Sequence, residues 1–161
     1  MRNNILSLLE HDAKMTAADI ALRLGKSESE ISAEIKQMEQ EQIICGYSTL
    51  VNWDRTDSEL LTALIAVKVT PSRGQGFNSI AERIYRFDEV TAVYLMSGGY
   101  DLTVIIEGKS LKEISYFVSD KLSPLESVLS TATHFVLKKY KDHGVVFGGP
   151  DIPDERMVVS P

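Results

Sequence analysis

Residues 16–30 read TAADIALRLGKSESE and contain two helix starts with one helix end between them. Thr16 and Ser27 are each followed three residues later by an acidic side chain, which is the pattern of a capping box. Gly25 predicts the helix end, because glycine adopts the positive φ of a sharp turn without strain. The small Ala21 lets two helices approach closely. This spacing predicts a helix-turn-helix, although an αα-hairpin that only packs would show the same pattern.

The sequence on either side extends this segment into a domain. Before it, residues 2–11 place their apolar side chains on one stripe of a helix. After it, apolar residues recur at helical spacing from Ile31 to Met38 and indicate a third helix. Residues 43–51, IICGYSTLV, then predict a β-hairpin or wing. We therefore predict a winged helix-turn-helix domain over residues 1–52.

The pattern changes after a polar segment, residues 53–60, which we predict to be a linker. From residue 61 onward, short apolar runs alternate with stretches of helical periodicity. Their order is strand, helix, strand, strand, helix, strand, which predicts an α+β, ferredoxin-like βαββαβ domain over residues 61–141, followed by a tail at 142–161. The strands are expected at 61–69, 90–96, 102–106 and 129–140, and the second helix is expected to bury Leu111, Ile114, Val118 and Leu122.

A four-stranded sheet covered by two helices on one side leaves its other face open. The residues expected on that face remain largely apolar, as Leu64 and Ala66 show within the first strand. An exposed apolar face of this size requires a partner, and the simplest partner is a second copy of the chain. The sequence therefore predicts a homo-oligomer.

The composition is that of an ordinary globular protein. The 161 residues are 43% apolar and 25% charged, with a net charge of −6 and a pI of about 5.1, which argues against a polycation that coats nucleic acid. No apolar run approaches the length of a membrane span, and the amino terminus lacks the features of a signal peptide, so we expect a cytoplasmic protein. Cys45 is the single cysteine, and we expect no disulfide, metal site or cofactor.

Three further motifs occupy fixed places in this plan. They are ALRLG at 21–25, SGGYDL at 97–102 between two strands, and STAT at 130–133 in the last strand. In this order and spacing they resemble the Lrp/AsnC family, the feast/famine transcription regulators of bacteria and archaea, over essentially the whole chain. The resemblance implies that the first half binds double-stranded DNA. It also implies that the second half dimerises through its sheet and that dimers assemble into tetramers or octamers.

The resemblance further implies a small effector, usually an amino acid, bound between subunits near the turn after the second strand. The residues that the motifs place at this site are Gly98, Gly99, Tyr100, Asp101, Leu102, Thr131 and Thr133. Exposed backbone and hydroxyl groups suit the carboxylate of a zwitterion, and Asp101 could accept from its ammonium. A tight turn between strands would also explain the two glycines, and a turn-capping role would explain Asp101 equally well.

In a helix-turn-helix, the second helix of the pair enters the major groove. The residues predicted to contact bases or phosphates are Thr16, Arg23, Lys26, Ser27, Glu28, Ser29, Ser32, Ala33, Lys36 and Gln37. The charge of this helix departs from the basic recognition helix usual in the family, because residues 27–42 contain one lysine and five glutamates. Non-specific affinity comes mostly from the neutralisation of phosphates, so we expect modest and strongly salt-dependent binding to DNA.

Two other functions stay open on the sequence alone. The acidic helix would suit a co-assembly partner of the same family that senses the effector and has lost strong DNA binding. Sirohaem decarboxylases resemble the family in overall plan, so the fold by itself does not exclude an enzyme. The histidines, His11, His134 and His143, accompany no constellation of charged residues that decarboxylation of a propionate would need. We therefore expect no enzymatic activity.

Overall fold

The structure is a computed structural model that describes residues 1–70 and 76–147. The chain divides into two compact units, Met1–Val51 and the segment from Asn52 onward. The predicted boundaries of the linker and of the tail are finer than this division and stay predictions. Residues 148–161 of the predicted tail lie outside the described residues. Within the described residues, no helix is both long enough and apolar enough to cross a membrane.

The first unit is built from three helices around a small apolar core. The helices are α1 at Arg2–His11, α2 at Ala17–Leu24 and α3 at Glu28–Gln40. Ile5, Ile20 and Ile31 come from the three helices in turn and are completely buried, and Met38 joins them. Ala21, predicted as the small residue at the helix contact, is buried in the same cluster.

The turn between α2 and α3 confirms the local predictions for this segment. Thr16 and Asp19 form a complete capping box, in which each side chain accepts from the backbone N–H of the other. Ser27 and Glu30 repeat the arrangement at the start of α3. Gly25 ends α2 in the left-handed conformation at φ 63° and ψ 40°. The segment therefore folds as a helix-turn-helix.

The β-hairpin predicted for residues 43–51 is wrong. Among the described residues, the segment from Ile43 to Val51 contains no strand. Its apolar residues do not alternate with polar ones along the whole segment, so the strand pattern is incomplete. Gln42, at φ 56°, ends the helical segment, and the backbone N–H groups of Ile43 and Ile44 bond back to the carbonyl of Met38.

The second unit has the predicted βαββαβ order. Its elements are β1 at Leu61–Val69, α4 at Phe77–Tyr85, β2 at Val90–Leu95, β3 at Leu102–Gly108, α5 at Leu111–Phe117 and β4 at Val128–Phe135. The four strands form one antiparallel sheet in the order β2-β3-β1-β4. A single 3₁₀ turn at Trp53–Arg55 lies in the segment predicted as a linker. The α+β class and the ferredoxin-like order are confirmed.

The two faces of the sheet differ in burial. The face toward α4 and α5 carries the core, which includes Ile65, Val104 and Ile106. The register pairs Leu64 with Ile105 and with His134 on the other face. Ala66 and Ala132 continue this second face, which we call the open face. The same register places Ala92, Tyr94 and Thr103 on the open face as well.

The second helix differs from its predicted stripe. Leu111 is exposed, whereas Ile114, Phe117 and Leu122 are buried. The chain passes from α5 into a π-helical turn at Val118–Leu122, closed by the bond from the backbone N–H of Ser123 to the carbonyl of Val118 at 2.8 Å. Such a turn contains one more residue than an α-helical turn, so the buried positions 117 and 122 are five apart rather than four.

The last strand is shorter than its predicted span of 129–140. β4 ends at Phe135, opposite Ala63, and the N–H of Val136 makes one more bond to the carbonyl of Thr62. Because the strands are antiparallel, Phe135 lies close to the first residue of β1, Leu61, and β1 offers little further backbone to pair with. The chain instead forms a small hairpin, β5 at Lys141–Asp142 and β6 at Val145–Val146, across the predicted boundary between domain and tail.

Candidate DNA-binding and effector-binding sites

The outward side of α3 is the candidate DNA-reading surface. Its buried side is fixed by Ile31 and Met38. A period of 3.6 residues places four exposed residues opposite them, and we call these the crest: Ser29, Ala33, Lys36 and Gln40. Ser32 and Gln37 are exposed on the two flanks of the crest. The crest contains a single charged residue, Lys36, and no carboxylate.

The five glutamates of α3 and its C-terminal cap lie off the crest, and most of them have partners. Glu30 closes the capping box with Ser27, whose backbone N–H and hydroxyl lower the pKa of the Glu30 carboxyl. Glu39 accepts from the phenol of Tyr47 at 2.9 Å. Glu34 and Glu41 are turned toward α1. The charge count of the helix therefore overstates the negative charge that its crest presents.

Arg2 of α1 pairs with two of these glutamates. Its Nε donates to Oε1 of Glu34 at 2.5 Å, and its two terminal nitrogens donate to the carboxylate of Glu41 at 2.6 and 3.3 Å. The Arg2 guanidinium lowers the pKa of the Glu41 carboxyl, and a bond from the amide of Gln37 lowers it further. Both carboxylates are thus paired, and together they satisfy three of the donors of the guanidinium.

The predicted phosphate contacts near the turn fall into two groups. Arg23 and Lys26 are exposed. The hydroxyl of Thr16 already donates to Asp19 at 2.5 Å, and the hydroxyl of Ser27 already donates to Glu30 at 2.8 Å. Both hydroxyls are therefore used by the capping boxes, and a phosphate would have to compete for them. Glu28, at the first position of α3, is exposed beside them.

The turn between β2 and β3 holds the predicted effector residues, and Asp101 fixes it to the sheet. The N–H of Asp101 donates to the carbonyl of Val67 at 3.0 Å, and its Oδ2 accepts from the N–H of Val69 at 2.9 Å. Its carbonyl accepts from the N–H of Met96 at 2.8 Å. The turn-capping role of Asp101 is thus present, and one carboxylate oxygen is spent on the end of β1.

Gly98 and Gly99 are not explained by the backbone of this turn. Neither has a φ in the left-handed region, and a Cβ added to either would meet nothing within 4 Å. Both lie exposed at the end of the sheet, next to the half-exposed Tyr100. A tight turn inside one chain does not require glycine here. What the two glycines provide is bare backbone that a group from outside the chain could approach.

The remaining effector residues lie at the same end of the sheet but on different strands. Thr131 of β4 is opposite Val67, which in turn pairs with Leu102 of β3, so one row across the sheet joins the two halves of the predicted site. Thr133 lies one row further along, opposite Ile65. The side chain of Leu102 is 1% exposed and packs in the core, so only its backbone could contribute to binding the effector.

Sequence reasoning missed two residues of the α3 surface. Gln40 extends the crest, and its helical spacing from Lys36 was a signal that could have included it. Arg2 was not found because its partners are 32 and 39 residues away, a distance that only the packing of α1 on α3 closes. Among the described residues, no group of three possible metal ligands comes together.

Each of the two units matches a known protein family. A family described as winged helix-turn-helix DNA-binding matches residues 2–44, and the Lrp/AsnC ligand binding domain matches residues 62–146. An uncharacterized HTH-type transcriptional regulator of Bacillus subtilis, YugG, is 51% identical over 158 residues, covering 98% of this chain and 95% of the relative. Another HTH-type regulator, from Pyrococcus furiosus, is 33% identical and covers 86% of this chain and 90% of its own length.

Solved structures show the same fold. A transcriptional regulator of Neisseria meningitidis in complex with L-Met superposes with a TM-score of 0.69 at 24% identity, covering 86% of this chain and 89% of that one. The leucine response regulatory protein of Mycobacterium tuberculosis gives a TM-score of 0.73 at 18% identity, over 87% and 92% of the two chains. With its helix-turn-helix and its ligand-binding domain, this chain belongs to the Lrp/AsnC family of transcriptional regulators, which are not enzymes.

Proposed function

We propose that this regulator reads specific DNA sequences with α3 of paired copies, and that an amino acid bound beside the 97–101 turn controls how those copies associate. It acts in the cytoplasm as a homodimer that assembles further into tetramers or octamers. The effector would select among association states that differ in affinity for it, and so change the spacing between the α3 helices.

The carboxylate-free crest of α3 is the observation that supports DNA reading most strongly. Hydroxyl and amide side chains, together with Lys36, are suited to base edges and phosphates in the major groove. The acidic count that favoured a partner without DNA binding weighs less, because Arg2 and the capping box engage Glu34, Glu41 and Glu30 away from the crest. We therefore place DNA contacts at the predicted α3 residues and at the exposed Arg23 and Lys26.

An amino-acid effector is supported by the bare backbone at Gly98 and Gly99, which no steric requirement within the chain explains. Thr131 and Thr133 lie on β4, opposite Val67 and Ile65, and their hydroxyls could donate to a carboxylate. The related fold of the Neisseria meningitidis regulator binds L-Met, which supports the same ligand class here.

The DNA contact is tested by a matched pair of lysines in the first unit. Lys36→Ala should weaken binding to a duplex taken from upstream of the protein's own gene. It should also reduce the slope of log Kd against log salt by about one, because one phosphate or base contact is lost. Lys14→Ala removes an equally exposed charge outside the predicted contacts and should change neither quantity. If Lys36→Ala binds as tightly as the unsubstituted protein, the proposal that α3 enters the groove is contradicted.

The effector site is tested by thermal shift against the twenty amino acids. At least one should raise the melting temperature, because a ligand that binds only the folded state stabilises it. Thr131→Val keeps the shape of the side chain but removes the hydroxyl, and it should diminish that shift. Thr49→Val in the first unit is the control and should leave the shift unchanged. A protein whose melting temperature responds to none of the twenty contradicts the amino-acid effector.

A further inference from the structure

A chain of three side chains runs from α1 to the flank of the crest. Arg2 grips the carboxylate of Glu41 with two nitrogens, at 2.6 and 3.3 Å. Glu41 in turn accepts from Nε2 of Gln37 at 2.7 Å, across one turn at the end of α3. Arg2 also holds Glu34 at 2.5 Å, so its guanidinium is anchored at a second point. The position of the Gln37 amide is thus tied to a residue on another helix.

The chemistry of this contact fixes which way the Gln37 amide faces. A carboxylate only accepts hydrogen bonds, so Glu41 must be met by the amide nitrogen of Gln37 and never by its oxygen. The pairing with Arg2 keeps Glu41 ionised, because it lowers the pKa of that carboxyl. One N–H of Gln37 is therefore spent, and the amide keeps its oxygen and a second N–H for a ligand. Those two groups form one acceptor next to one donor.

Adenine presents the complementary pair in the major groove, with a donor at N6 and an acceptor at N7. Guanine presents two acceptors at the corresponding positions, one of which would face the amide oxygen without a hydrogen bond. We propose that Gln37 is a specificity-determining residue that reads an adenine, and that Arg2 and Glu41 are positioning residues that hold its amide in the reading orientation. This inference rests on the proposed role of α3 as the DNA-reading helix.

The proposal separates Gln37 from its neighbours on α3. Lys36 offers donors only, so it can add affinity on any sequence without selecting adenine. Gln40 is an exposed amide on the same helix, but in the described part of the chain no hydrogen bond orients it. A free glutamine must give up side-chain entropy on binding, whereas Gln37 is already restrained. Of the two amides, we therefore expect Gln37 to be the one that selects adenine.

The test is selection by the full-length protein from a pool of DNA duplexes with a randomised core, followed by sequencing. The unsubstituted protein should enrich an A·T pair at one position of each half-site. Gln37→Ala should reduce that preference by roughly tenfold or more, while the other enriched positions keep theirs. Asn4→Ala is the control: it removes an exposed amide on α1, outside the predicted DNA contacts, and should leave the A·T preference unchanged. Far-UV circular dichroism of each variant checks that the helices remain folded.

The positioning role is tested with Arg2→Ala, Glu41→Ala and the double variant in the same selection. Each single variant should weaken the preference at the A·T position alone, and the double variant should weaken it no more than Glu41→Ala does, because both act through one chain of contacts. A uniform loss at every position would show a general structural effect and overturn the positioning role. An unchanged A·T preference in Arg2→Ala or Glu41→Ala would overturn it as well.

The outcomes for Gln37 and for the proposed function are distinguishable. If the unsubstituted protein enriches no sequence, sequence-specific reading fails and this inference fails with it. If it enriches a sequence but Gln37→Ala loses a G·C preference, or loses none, only the assignment of adenine to Gln37 is overturned.

Discussion

At the residue scale, the glycines of this chain separate into those required by the fold and those that it does not require. Gly25 has a φ of 63°, so Gly25→Ala should cost about 1–2 kcal/mol even though the added Cβ meets nothing within 4 Å. Gly46 lies in the same unit, is equally free of contacts, and has no left-handed φ. Gly46→Ala should therefore cost nothing. Urea denaturation followed by helical circular dichroism measures both, and equal stability of the two variants would contradict the turn argument.

The capping boxes give the first unit a defined response to acid. Hydrogen bonds from Ser27 lower the pKa of Glu30, and hydrogen bonds from Thr16 lower the pKa of Asp19. A carboxyl whose pKa is lower in the folded state than in the unfolded state stabilises the fold. This stabilisation is complete when the pH is above the pKa of the unfolded state, and it is lost as the pH falls through the pKa of the folded state. We therefore expect the urea concentration at the midpoint of unfolding to decrease once the pH is lowered past about 4.5, the ordinary pKa of a glutamate.

Glu30→Gln should reduce this acid sensitivity, because one of the titrating carboxyls has been removed. Glu28→Gln is the control, since Glu28 is exposed at the adjoining position and takes no part in the box. The measurement is the difference between the urea midpoints at pH 7 and at pH 3.5 for each variant. An identical difference in Glu30→Gln and in the unsubstituted protein would contradict the role of the box.

At the element scale, α5 distinguishes what the sequence pattern predicts from what packing decides. The pattern predicts that Leu111 and Ile114 share a buried stripe, but Leu111 is 56% exposed and Ile114 is 1% exposed. Ile114→Ala should therefore cost about 2–5 kcal/mol, because it leaves a cavity against the sheet. Leu111→Ala should change the free energy of unfolding by no more than about 0.5 kcal/mol. If both variants lost a similar amount of unfolding free energy, the result would support the predicted buried stripe instead.

Local signals predicted the elements well where the cause of the structure is itself local. The capping boxes at Thr16 and Ser27 and the turn at Gly25 each depend on a few neighbouring residues, so the sequence contains their whole cause. The end of β4 at Phe135 depends instead on where β1 begins, more than seventy residues earlier in the chain. The π-helical turn after Phe117 depends on how the chain packs under the sheet, so periodicity alone could not predict it.

At the scale of the whole molecule, the order of elements was predictable and the site chemistry only partly so. The motif at 97–102 located the effector turn, but the bond from Val69 to Asp101 required the sheet order, which brings β1 beside that turn. The surface of α3 shows the same limit. Its exposed residues follow from periodicity, whereas the pairing of Glu34 and Glu41 with Arg2 depends on the contact between two helices.

Assembly through the open face of the sheet is the prediction that belongs to the molecule as a whole. Leu64 lies at the centre of that face, paired with Ile105 on one side and His134 on the other, and 36% of it is exposed. Leu64→Arg should prevent dimerisation, because association would bury an unpaired charge. Within the isolated chain the arginine would remain in water, so the fold should persist.

The control is Tyr85→Arg, which places the same charge at the 56% exposed end of α4, away from the open face. Light scattering over a range of protein concentrations measures the mass of each variant, and circular dichroism checks its fold. We expect Leu64→Arg to have the mass of a monomer and Tyr85→Arg to keep the mass of the unsubstituted protein. A Leu64→Arg variant that remains dimeric would show that the copies meet through another surface. The α3 helices would then be paired in a different geometry from the one that the open face provides.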